Sequence, residues 1–342
     1  MWGPVQVWGT VLATLALLIP ACSTAPIEQS TRSNVSTAHL RNGPATATLP
    51  SSDVVPVTTN PQISLPVTVD SAGHGRVTVT DTSRIIAVDR NGTLGNIVFA
   101  LGLGRRVVGR DISTAFPSAA KLPLVTTNGH TLSAEAVLAL NPSVVLVDDS
   151  TTPTTAVDQI RAARIPVVAF TSVRTISSTP DLILDVAASL GVIPAGEQLL
   201  ARTQAQISAA KATVPHPSGN PRIAFLYIRG PRLVLLTGPG SGADDLIAAL
   251  GGTDAGTAAG LTAAFTQITT EALLKANPDV ILVMTQGADS VGGIDGVLKL
   301  PGVSQTSAGK ARRVVQMDQS EILAFGPDTG SVLTALRRAI YT

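Results

Sequence analysis

Few residues in this chain could do chemistry, and they do not fall into a catalytic spacing. There is one cysteine and there are four histidines. With Cys22 alone, neither an intramolecular disulfide nor a thiolate metal cluster can form. The sequence contains no Gly-x-Ser-x-Gly elbow, no His-Glu-x-x-His helix and no P-loop, so the usual hydrolytic and nucleotide-cleaving machineries lack their groups. The paired carboxylates Asp148–Asp149 and Asp244–Asp245 stand in polar turn contexts that suit helix capping. No catalytic site is expected. One arrangement does carry chemical potential. Tyr227 and Arg229 close the apolar run that begins at Arg222, and that run reads as a strand. Side chains two apart on a strand point to the same side, so Arg229 lies beside Tyr227. A guanidinium there favours the phenolate over the phenol, whose ordinary pKa is about 10. His130 stands just before a predicted helix. Taken singly, a tyrosine ending a strand reads as half-buried packing, and a histidine before a helix as a surface or capping group. His74 and His216 are read as structural.

The elements around these residues alternate. Val77–Val79 and Ile85–Val88 read as strands, 94–103 as a helix closed by Gly104, and Val107–Gly109 as the next strand, which predicts a parallel α/β sheet. An internal repeat carries the organisation. Residues 132–147 have a Ser cap, a short helix around Glu135, an Asn-Pro stop and an apolar strand; residues 268–283 repeat this around Glu271. Proline cannot continue the helix and disfavours the α conformation of its predecessor, so Asn-Pro is a physical stop. The all-apolar strand after it suits a sheet covered on both faces. Two copies predict two lobes of similar architecture. Between them, 177–213 reads as a helical connector interrupted at Gly191–Pro194.

Hydrophobic residues make up 44% and charged residues 14%, with a formal net charge of +1, so no polyanion-binding face is expected and nucleic acid is excluded as a partner. The doublets Arg312–Arg313 and Arg337–Arg338 read as solvated surface. At the N-terminus, a short apolar run ends in Pro20-Ala21-Cys22, the pattern of a bacterial lipoprotein signal with Cys22 as the lipidated residue. The predicted organisation is a signal over 1–22, a disordered Ser/Thr/Pro-rich tether over 23–75, an N-terminal lobe over 76–176, a bridging helix over 177–213 and a C-terminal lobe over 214–342.

With both repeats flanking a helical connector, the region from about residue 80 to the C-terminus resembles the bridging-helix class of ABC-transporter solute-binding lipoproteins. The resemblance implies two Rossmann-like lobes, a ligand cleft between them, no enzymatic activity, a monomer held by a lipid anchor at the extracytoplasmic face of the membrane, and delivery to a permease and its ATPase. His130 in Asn128-Gly129-His130-Thr131, Tyr227-x-Arg229 and the glycine-rich loop Gly238–Asp244 are similar to the haem-binding members of Gram-positive uptake systems. That similarity implies haem as the transported ligand, His130 and Tyr227 as axial ligands from opposite lobes, and Arg229 as support for the phenolate. Imidazole and phenolate are both established haem ligands. Glu135 and Glu271 resemble the acids that dock such proteins on a permease; a carboxylate in a helix's first turn also offsets the macrodipole. Aromatics are only 3%, so Met284, Met317 or aliphatic side chains are expected to wall the cleft, with Phe116, Phe265 and Phe325 read chiefly as core. Two alternatives stand beside haem: a ferric siderophore, with Arg229 facing an anionic chelate, and an envelope lipoprotein that keeps the fold but works as an interaction partner.

Overall fold

The computed structural model describes residues 1–3, 39–50, 53–215 and 219–342. Cys22, the expected signal from residue 4 onward, the first part of the expected tether and His216 lie outside the described residues. Residues 35–342 form one compact unit containing two α/β lobes.

The described residues of the expected tether, 39–50 and 53–75, are packed on the two lobes, which differs from the disordered segment expected from composition. Strand β1 (Ala45–Thr46) pairs in parallel with the last strand of the chain, and Leu40 bridges to Tyr341. The next stretch runs along the other lobe. Val54, Val57, Ile63 and Leu65 pack against its core, Val57 N–H donates to the Ala100 carbonyl at 2.8 Å, and β2 (Val67–Ser71) forms a hairpin with β3 (Gly75–Val79). The physical reason is visible in Val67-Thr68-Val69. Alternating β-branched apolar and polar residues suit a strand with one buried face, even in a Ser/Thr-rich context.

The first lobe is a parallel sheet. Strand β4 (Ile85–Val88) leads into α1 (Thr93–Ala100) and β5 (Val107–Arg110). A small antiparallel hairpin, β6 (Thr126–Thr127) and β7 (Thr131–Leu132), precedes α2 (Ala134–Ala139), then come β8 (Val144–Asp148), α3 (Thr154–Ala162) and β9 (Val167–Phe170). The strand order is β5-β4-β8-β9, and every residue of β4, β8 and β9 is buried. Helices on both faces explain these unbroken apolar strands.

Two helices follow, α4 (Thr179–Ser189) and α5 (Ile193–Ala212), separated where the sequence placed its break. Helix α5 packs on α4 on one side and on the C-terminal helix of the second lobe on the other. Gly191 makes the corner. Its φ is +70°, its carbonyl accepts the Ser64 N–H at 2.8 Å, and a Cβ there would stand 2.4 Å from the Ser64 oxygen. Gly191→Ala is therefore expected to destabilise the fold by about 1–3 kcal/mol. An unchanged urea midpoint would show that this corner is free to adjust.

The second lobe begins with β10 (Arg222–Ile228) and β11 (Val234–Thr237), an antiparallel pair, followed by α6 (Ala243–Ala249), β12 (Thr253–Asp254), α7 (Ala255–Ala258) and β13 (Phe265–Gln267). The second repeat supplies α8 (Thr270–Ala276) and β14 (Val280–Met284). The chain closes through α9 (Thr285–Asp289), α10 (Gly293–Leu298), α11 (Ser307–Lys310), β15 (Val314–Met317), α12 (Gln319–Ile322) and α13 (Thr329–Ile340). The sheet order is β1-β15-β14-β10-β11-β13, with β12 also paired to β10. In each repeat the expected cap forms: Ser133 Oγ accepts the Ala136 N–H at 3.2 Å and Thr269 Oγ1 accepts the Ala272 N–H at 3.0 Å. Asn141 and Asn277 take φ of 44° and 36°, the left-handed conformation that asparagine tolerates at a helix end.

Candidate functional site

The first lobe gathers its charge at the carboxyl ends of its strands, where clefts form in parallel α/β sheets. Asp89 follows β4, Asp111 follows β5, and Asp148 ends β8. Arg174, beyond β9, places Nη2 at 3.2 Å from both Asp89 Oδ2 and Asp148 Oδ2, and all three side chains are buried. The remaining acceptors are used by the loops. Asp89 Oδ1 accepts the Leu94 N–H at 3.1 Å, and Asp148 Oδ1 accepts Ser150 N–H at 3.1 Å and Ser150 Oγ–H at 2.8 Å. Asp111 accepts the Thr114 N–H at 2.6 Å and the Asp89 N–H at 3.0 Å. Burial, with the Asp89 charge adding to it, pushes Asp111 up to about 7. Burial also raises Asp89, against the pull of Arg174. Of these groups the sequence reading singled out only Asp148, as a cap. The available signal was an aspartate directly after an all-apolar run, at Asp89 and again at Asp148.

His130 occupies the turn of the β6–β7 hairpin, which is tightened by Asn128 at φ 46° and Gly129 at φ 89°. It is half-buried in a recess that it shares with Arg90, Thr126 and Thr151. Its Nδ1 is buried without a hydrogen-bond partner among the described residues. Burial lowers its pKa below the usual imidazole value, and Arg90 and then Arg229 lower it further.

Tyr227 is half-buried near the carboxyl end of β10, opposite Leu235 of β11. The Arg229 guanidinium lies over its ring, 4.7 Å from the centroid, and Arg229 Nη2 donates to Gln319 Oε1 at 3.3 Å. The arginine thus reaches the tyrosine by stacking on its face. Phe265 meets the same ring edge-on at 6.1 Å and is 45% exposed. That exposure corrects the sequence reading, which assigned Phe265 chiefly to the core. Conversely Met284 and Met317, expected to wall the cleft, belong to the second-lobe core at 7% and 0% exposure. Phe325 is likewise core, and Phe116 packs on Phe99. The glycine-rich loop lies at the seam between the lobes: Asp244 Oδ2 accepts the Gly240 N–H, and a Cβ at Gly242 would meet the Arg174 carbonyl. Glu135 and Glu271 are exposed in the first turns of α2 and α8. Among the described residues, no three His, Cys, Asp or Glu side chains converge on a metal position.

The lobes meet along a polar seam. Asn91 Nδ2 donates to the Leu323 carbonyl at 3.2 Å, Asn96 Nδ2 to Asp328 Oδ2 at 2.9 Å, and Thr179 Oγ1 to the Phe325 carbonyl at 3.0 Å. Glu321 lines this seam. Burial, with Asp318 and Asp328 adding to it, pushes Glu321 up to about 7. An unfolded chain releases that proton at about 4.3, so from there to about 7 rising pH favours the unfolded state. Glu321→Gln is expected to raise the thermal midpoint at about pH 8 and leave it unchanged at about pH 4. A shift of equal size at both would contradict this assignment.

The sequence pattern of the family described as periplasmic binding protein matches residues 91–321. The chain belongs to the periplasmic binding protein family. As a member it is a binding protein rather than an enzyme. Among solved structures, it is similar to the heme binding protein HmuT, with 38% identity over 88% of this chain and 98% of that one and a TM-score of 0.83. HmuT has also been solved with alanine in place of a histidine, of a tyrosine, and of the arginine two positions beyond that tyrosine. The periplasmic heme-binding protein RhuT from Roseiflexus sp. RS-1 is likewise similar, with 38% identity over 76% of this chain and 98% of that one and a TM-score of 0.70. An uncharacterized ABC transporter substrate-binding lipoprotein of Bacillus subtilis (strain 168), YvrC, is 25% identical, over 81% of this chain and 86% of its own. The two-lobed α/β fold expected from the repeat is thus the fold of the family.

Proposed function

We propose that this chain captures ferric haem in the cleft between its lobes and delivers it to an ABC permease driven by its ATPase. One observation carries the reading. His130, half-buried in a recess of the first lobe, and Tyr227, half-buried near the carboxyl end of β10 in the second beneath the Arg229 guanidinium, offer one ligating side chain from each lobe. The His130 Nε2 and the Tyr227 phenolate are the axial ligands, one above and one below the ring plane. Phe265 gives the macrocycle an aromatic surface beside Tyr227. A lowered His130 pKa keeps the imidazole neutral and able to ligate to below the usual imidazole range. The similarity to HmuT and RhuT supports haem over a ferric siderophore. Lipidation of Cys22 would hold the monomer at the extracytoplasmic face of the cell membrane, as the similarity to a lipoprotein supports. Glu135 and Glu271, one exposed acid on each lobe, are the contacts proposed for the permease.

The test is a titration of the protein with haemin and, in parallel, with ferric siderophores, followed by absorption. Saturable binding of haemin with a phenolate-to-iron charge-transfer band is the expected result. Binding of a ferric siderophore alone would move the ligand assignment to that class, and no binding of either would favour the interaction-protein alternative.

A further inference from the structure

We propose that Arg90 is a receptor for a ligand carboxylate, so that the cleft selects a planar tetrapyrrole by its acidic side chains as well as by its iron. The inference rests on the haem reading and deepens it. Arg90 directly follows Asp89 at the carboxyl end of β4 and lines the recess around His130. Its side chain is exposed, and its guanidinium makes no hydrogen bond or ion pair among the described residues. The acids nearest in the chain and the sheet cannot serve it. Asp89 and Asp148 are buried and already committed to Arg174. Arg229 of the second lobe is held by Gln319 and the Tyr227 ring. Arg90 thus puts an uncompensated positive charge in the recess beside His130.

An apolar macrocycle with no charge would leave that positive field uncompensated. A guanidinium presents two parallel N–H groups that match a carboxylate. Charge of one sign in a cleft also concentrates ligands of the other sign before contact. The ligand chemistry that fits is a dicarboxylate tetrapyrrole. Arg229 is partly engaged by the tyrosine; Arg90 is unengaged, and so is assigned as the carboxylate receptor.

The experiment titrates the full chain and its Arg90→Ala, Arg90→Lys and Arg90→Glu variants with haemin and with haemin dimethyl ester, recording affinity and the iron spectrum. Arg90→Ala is expected to weaken haemin binding roughly tenfold, with Arg90→Lys between it and wild type and Arg90→Glu weaker still. The ester is expected to bind wild type and Arg90→Ala equally, and the iron spectrum to be the same in every variant. Unchanged haemin affinity in Arg90→Ala, or equal weakening of acid and ester, would overturn the assignment. Failure of wild type to bind haemin at all would instead overturn the haem reading on which it stands.

Discussion

Tyr227→Phe is expected to abolish the phenolate-to-iron charge-transfer band and weaken haem binding by on the order of 100-fold, at or beyond the loss typical for removing an outer partner of a metal ligand. The substitution keeps the ring, its edge contact with Phe265 and the Arg229 guanidinium above it, and removes only the oxygen. Its effect therefore reads coordination separately from packing. His130→Ala is expected to differ in kind. The charge-transfer band persists because the phenolate stays bound, while the open axial position takes water and affinity falls less. The two ligands are unequal for a physical reason. His130 sits in a small hairpin turn with an unpaired Nδ1, whereas Tyr227 is built into the central strand of the second sheet beneath a stacked arginine. If Tyr227→Phe retained the band and the affinity of wild type, the tyrosine would be packing and the proposed clamp would fall. If His130→Ala alone left every spectrum unchanged, iron would be held from the second lobe only.

How much of this was legible in the sequence depends on whether a local pattern carried it. The repeat was readable because each part of it is a local rule: a hydroxyl cap, an Asn-Pro stop and a strand buried on both faces. All three appear at Ser133–Asp148 and again at Thr269–Met284. Tyr227 and Arg229 were readable as neighbours because a strand alternates with period two, and the ring–guanidinium stack follows. The ordered strap from His39 to Val79 was not. Its composition is that of a linker, and only the tertiary partners Tyr341, Val315 and Ala100 show that its few apolar side chains find cores to fill. Met284 proved core and Phe265 exposed, each against expectation, for the same kind of reason. Met284 is buried at the end of a parallel strand paired on both sides, while Phe265 sits on an edge strand with one side uncovered.

Arg174 was invisible to pattern reading, yet it carries the largest expected effect on stability. Its Nη2 is shared by two carboxylates that approach from different strands, and the three side chains are exposed by only 5%, 1% and 4% for Arg174, Asp89 and Asp148. Arg174→Met leaves Asp89 and Asp148 facing each other with no cation, and removing one partner of a buried ion pair costs about 3–5 kcal/mol. The loss must depend on pH. Burial already raises the Asp89 pKa, and taking away Arg174 removes the charge that opposes this, so the pKa rises further. The unfolded chain gives up the Asp89 proton near the ordinary value of about 3.9, and the folded variant gives it up later. Stability of the variant therefore falls as pH rises above about 4, and its deficit against wild type is smallest in acid and full at neutral pH. Urea midpoints measured across that range would show it, and adding Asp89→Asn and Asp148→Asn to Arg174→Met should recover part of the loss at neutral pH. A deficit of less than about 1 kcal/mol at neutral pH would mean that water reaches these carboxylates, as it does at an exposed ion pair. The triad would then not be the anchor for the loops that begin at Asp89 and Asp148, including the one that carries Arg90.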